Sequence, residues 1–138
     1  MPLSPNDHAY VPALFAFAHT RGLTLMNLQV EVAEPHPAHE LHAIYGINLE
    51  GLVVDGFKGR QTVPGGELAT IQLEQCRNVL ISGGQALPGT GTFLRLAGSH
   101  TGSVSLIGND LSEAKKAFVL ARDIRRKAFY RSANRLPD

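Results

Sequence analysis

Four stretches decide the fold: FAFAHTRGLTLMNL (15–28), IYGINLEGLVVDGF (44–57), IQLEQCRNVLISGG (71–84) and LRLAGSHTGSVSLIGN (94–109). Each contains a short alternating run, a polar bend and a second alternating run. The second runs begin at Leu23, Leu52, Val79 and Val104, at intervals of 29, 27 and 25 residues. The first runs begin at Phe15, Ile44, Ile71 and Leu94, at intervals of 29, 27 and 23. Self-similarity at such a period marks a repeat architecture. Period-2 alternation places Leu52 and Val54, or Val79 and Ile81, on one face of a strand. One strand pair cannot bury that face alone. Stacking units at ~4.8 Å buries it against the next unit, while ladder bonds run between units. The expected fold is all-β, a right-handed parallel β-helix (solenoid) of about four coils over residues 12–120. A short segment, 1–11, precedes it and a basic tail, 121–138, follows.

The connectors fit this reading. AEPHPAHEL (33–41), QTVPGGEL (61–68) and ALPGTG (86–91) fall between units, where they loop outward. Arg21, Glu50 and Arg77 fall in one column, so stacked coils bring opposite charges together. Two other folds compete. VSLIGNDLS (104–112) fits a leucine-rich repeat, but the other units lack its Asn at that place. A βαβ sheet needs amphipathic helices between strands, which connectors rich in Pro and Gly do not supply.

Composition sets outer bounds. The 138 residues are 43% hydrophobic and 18% charged, the balance of a folded chain. A lone cysteine, Cys76, excludes an intrachain disulfide and a multi-cysteine zinc site. No apolar run is long enough to span a membrane. MPLSPNDHAY, at the start, has no secretory-signal pattern. The net charge of +1 does not call for a nucleic-acid partner, and neither nucleic acid nor membrane is expected. Charge is uneven, however. Residues 121–138 carry six Lys and Arg against two Asp, a net of +4, which leaves −3 on residues 1–120. Within 114–134, Phe118, Ala121, Ile124 and Ala128 recur at helical spacing. An amphipathic helix or irregular tail that covers the last coil is therefore expected, although AFVLA (117–121) reads equally as the start of a fifth unit. An uncapped first coil near Phe15–Phe17 would favour self-association.

With the motifs GLTLMNLQVE, EGLVVDGFKGRQ, RNVLISGG and GTGTFLRLAG…VSLIGNDL in place, the chain resembles the C-terminal coils of the right-handed parallel β-helix glycosidases that degrade pectin, the polygalacturonase and rhamnogalacturonase family. The likeness covers roughly residues 12–120 and implies a polysaccharide-related role. That family's Asn-Thr-Asp, Asp-Asp and Gly-His-Gly segments are absent. The nearest approach to its Arg-Ile-Lys segment is Arg125-Arg126-Lys127, outside the repeats. The expected function is thus the C-terminal β-helix portion of a pectin-active glycosidase-like protein, without catalytic residues of its own. The alternatives are a stand-alone carbohydrate-binding or assembly module, and an active glycosidase acting on acidic polysaccharide. The resemblance implies an extracellular or periplasmic location, which the start of the chain does not support.

The column Ala16, Tyr45, Gln72, Arg95 alternates with core positions and faces outward. An aromatic ring, an amide and a guanidinium in a row suit an acidic sugar chain, so Tyr45, Gln72 and Arg95 are the candidate substrate-binding residues. The absence of Trp limits any broad stacking platform. Inverting hydrolysis needs two carboxyl groups ~6.5–9.5 Å apart. No two carboxylates share a column in successive coils, which leaves Glu67 with Glu74 as a pair from neighbouring columns. His36, His39 and His42 form H-x-x-H-x-x-H, but Pro35 and Pro37 make this an exposed loop and not a helical zinc site. PGTGT (88–92) lacks the lysine of a phosphate cradle and reads as a turn. Cys76 reads as a small core residue and His100 as an exposed bend residue. No metal and no cofactor are expected.

Overall fold

The computed structural model describes residues 12–33 and 40–138. The first-sheet strands are β1 (Ala13–Ala18), β3 (His42–Ile47), β6 (Ala69–Glu74), β9 (Thr92–Ala97) and β11 (Lys116–Leu120). Those of the second are β2 (Thr24–Met26), β4 (Glu50–Asp55), β7 (Arg77–Ser82), β10 (Gly102–Ile107) and β12 (Phe129–Ser132). In each sheet these strands lie in that spatial order and all pair in parallel. A narrow third face holds β5 (Lys58–Gly59) and β8 (Gln85–Ala86). Single bridges Gln29↔Lys58, Gln85↔Asp110 and Asp110↔Arg135 extend it along the stack. The chain is a parallel β-solenoid of about four turns.

The observed register matches the repeat. Phe15, Ile44, Ile71, Leu94 and Phe118 are successive partners. So are Leu52, Val79, Val104 and Phe129. Ile44, Leu52, Ile71, Val79, Leu94 and Val104 are at most 2% exposed. Each fully buried aliphatic contributes about 1.5–3 kcal/mol, and each is covered by the same position one coil away.

The bends repeat as strictly as the strands. Three columns of left-handed residues run along the stack. His19, Asn48, Gln75 and Gly98 follow the first-sheet strands, and Gly22, Gly51, Asn78 and Ser103 bend the chain into the second. Asn27, Gly56, Gly83, Gly108 and Ala133 follow the second-sheet strands. An L-residue costs about 1–2 kcal/mol in this region, least for Asn, whereas Gly enters it freely. Gly and Asn therefore turn the corners at most of these positions. Beside the third column, Asn109 is buried: it accepts from the Gly84 amide at 2.8 Å and donates to the Ile81 carbonyl at 3.0 Å. Asn134 repeats the second bond one coil on, to Leu106, at 2.8 Å. Asn109, the residue that suggested a leucine-rich repeat, thus satisfies corner backbone instead.

The expected helix in the tail does not form. Residues 114–134 contain β11, a single 3-10 turn at Arg126–Ala128, and β12, so the solenoid continues past residue 120 to the Asp110↔Arg135 bridge. Phe118 and Phe129 pack at 4.9 Å between ring centroids, and the Arg131 guanidinium lies 4.6 Å over Phe118. As strands, these residues extend the core columns and satisfy the open edges of β9 and β10. A helix would have left those backbone groups unpaired. At the opposite end, Leu14 and Phe15 are 41% and 39% exposed on β1, the edge expected to favour self-association. The segment 1–11 lies outside the described residues.

Candidate functional site

Tyr45, Gln72 and Arg95 are successive partners in the first sheet and meet at one pocket of about 300 Å³ on its outer face. The row is not an open shelf. Gln72 is only 4% exposed, because Pro12, Leu68 and Ala69 wall the pocket together with His42, Glu67 and Glu74. Glu67 and Glu74, the carboxylates singled out in the sequence, are thus brought to the same place.

A buried glutamine holds that wall. Gln61 is wholly enclosed, and its amide nitrogen donates to the Val63 carbonyl at 2.9 Å and the Gly89 carbonyl at 2.8 Å. Its oxygen accepts from the Thr70 hydroxyl and the Gly91 amide, both at 3.2 Å. All four hydrogen-bonding positions of the side chain are occupied. The 61–66 connector is thereby tied to the 87–91 turn. Glu40 then accepts from the Leu68 amide at 2.8 Å. Backbones approach so closely that a Cβ on Gly91 would lie 2.3 Å from the Gly66 carbonyl oxygen. This stitching fixes Glu67 and Leu68 over the sheet.

Inside the pocket, the Tyr45 hydroxyl donates to Glu74 Oε2 at 2.5 Å, and the Gln72 amide donates to Glu74 Oε1 at 3.5 Å. Burial, then the bond to Glu74, raises the phenol far above its ordinary value near 10, so it stays protonated. His42 Nδ1 lies 2.6 Å from the Ala69 carbonyl oxygen. A carbonyl only accepts, so Nδ1 carries the proton and Nε2 of the neutral ring bears a lone pair. Burial lowers the imidazole below its ordinary 6.5, against the raising effects of the Ala69 carbonyl, Glu40 and Glu74, with Arg95 adding a further lowering. The His42 and Tyr45 rings are tilted, with centroids 5.8 Å apart. A second groove, of about 410 Å³, adjoins the pocket through Glu67 and is lined by Gly65, Gly66, Gly91, Thr92, Lys115 and Lys116.

The remaining candidates are dispersed. His42 is not a loop residue as expected: it opens β3 and is 6% exposed, with its ring bonded to the Ala69 carbonyl and tilted against Tyr45. His36 and His39 lie outside the described residues. Among the described residues no cluster of three metal-ligating side chains occurs. Cys76 is wholly buried, and burial raises its thiol. Thr90 closes a turn onto Leu87, and His100 is exposed. In the charge column Glu50 pairs in register with Arg21 and Arg77, but its carboxylate accepts from Asn78 at 2.6 Å. Sequence reasoning placed His42 in a loop and missed Gln61. His42 sits two residues before Ile44 on a strand that the repeat already located, a usable signal. Gln61 lies in an insertion of no fixed period, where nothing local marks a buried hub.

Fold and site together define a class: a parallel β-solenoid with a polar, walled pocket on the outer face of one sheet. No family model, curated protein or solved structure matches the chain.

Proposed function

We propose that this chain is a polysaccharide-binding β-solenoid akin to the C-terminal coils of pectin-active glycosidases, gripping an acidic sugar chain over its first sheet without hydrolysing it. One observation carries the reading: Tyr45, Gln72 and Arg95, from three successive rungs, line a single pocket. Arg95 suits a uronate carboxylate, Tyr45 offers a sugar face, and the carboxylate of Glu67 accepts a sugar hydroxyl. Lys115 and Lys116 in the adjoining groove add two cations beyond Glu67 for a longer chain. Charge-assisted hydrogen bonds are worth about 1.5–3 kcal/mol. Arg95→Ala is therefore expected to weaken polygalacturonate binding by roughly tenfold or more in calorimetric titration. Absence of binding by the unaltered chain, or equal binding by the variant, would refute the proposal.

A further inference from the structure

We propose that the pocket is an eliminase site for polyuronates, in which His42 and Tyr45 move the protons while Arg95 and Gln72 hold the uronate carboxylate. The inference rests on the acidic-polysaccharide reading above and adds a reaction to it. In a 4-linked uronide the C5 hydrogen lies next to a carboxylate, and its removal places negative charge on that carboxylate. A guanidinium and an amide aimed at the carboxylate stabilise that charge where it develops. Arg95 and Gln72 are register partners on adjacent strands at this pocket.

A base and an acid must then work side by side, each in the correct protonation state. His42 Nε2, the nitrogen opposite the one held by the Ala69 carbonyl, bears the lone pair of a base. The Tyr45 phenol, 2.5 Å from Glu74, carries the proton of an acid. His42 takes the C5 proton, the freed electron pair forms the C4=C5 bond, and the bond from C4 to the glycosidic oxygen breaks. That oxygen takes the phenol proton as it leaves. The proton gained by His42 returns to Tyr45 through solvent, so no water, oxidant or reductant is consumed. Hydrolysis suits the same residues less well, because Glu74 is already engaged by Tyr45 and Gln72.

The full chain incubated with polygalacturonate provides the test, with ultraviolet absorbance followed alongside calorimetric binding. Elimination creates a conjugated double bond that absorbs, whereas hydrolysis creates reducing ends without absorbance. The expected result is rising absorbance, reduced about 100-fold or more in Tyr45→Phe and in His42→Gln. Gln at position 42 keeps a donor for Ala69, and Tyr45→Phe removes a single oxygen, so the latter carries the test should the former not fold. Binding without absorbance would overturn elimination and leave the binding reading intact. Neither binding nor absorbance would overturn both. Absorbance unchanged by Tyr45→Phe would overturn the assignment of the acid.

Discussion

Single residues in this molecule act through what they close off. His42 shows the consequence most directly. Enclosure on β3 against Ala69 and Tyr45 lowers its imidazole, with Glu40, Glu74 and Arg95 as the charged groups that face it. The unfolded chain therefore takes up this proton at a higher pH than the folded chain does. Stability attributable to the site is complete above about the ordinary value of 6.5 and is lost as pH falls from there towards the lowered folded value. Thermal unfolding of the unaltered chain is expected to shift down between pH 7 and pH 5 by more than that of His42→Gln. Equal shifts in the two proteins would show that the ring is not enclosed. The same scale shows why the pocket was only partly legible. Alternation along β3, β6 and β9 identified Tyr45, Gln72 and Arg95, because facing is a local property of a strand. That Gln72 is nearly covered depends on a connector pinned by Gln61, and such pinning has no period to read.

At the level of elements, strands are specified by alternation and corners by backbone freedom. Gly98 has φ of +100°, and a Cβ there would lie 2.7 Å from the backbone nitrogen of Gln75 in the coil beneath. Gly98→Val combines a forbidden conformation with a clash against backbone, and it is expected to destabilise by at least about 2 kcal/mol in urea unfolding. A loss below half of that would mean that the corner relaxes without cost. The tail makes the complementary point. Helical spacing of Phe118, Ala121, Ile124 and Ala128 is a genuine local pattern, and in isolation it favours a helix. The open edges of β9 and β10 offer ladder bonds and a ready core, and these outweigh it. AFVLA fits both periods, so only the neighbour decides.

For the whole molecule, stability is close to a sum of coils and the interfaces between them. Burial is deepest in the middle: β6 is buried at five of its six positions, whereas no residue of β1 is. Hydrogen exchange is expected to grade accordingly, with amides of β6 and β7 exchanging only on global unfolding and those of β1 and β2 through local opening at lower free energy. Uniform protection along the stack would contradict the nearest-neighbour picture.

The amino-acid sequence by itself determined the repeat, the pairing of Phe15 with Ile44 and of Ile44 with Ile71, the inward faces and the outward row. All of these follow from alternation and spacing, which are written along the chain. The tertiary structure alone decided the fate of residues 114–134, the roof over Gln72 and the partnership of His42 with Tyr45 and Glu74. Those outcomes depend on which backbone groups and cavities a neighbouring coil leaves open, and a linear pattern contains no record of its neighbour.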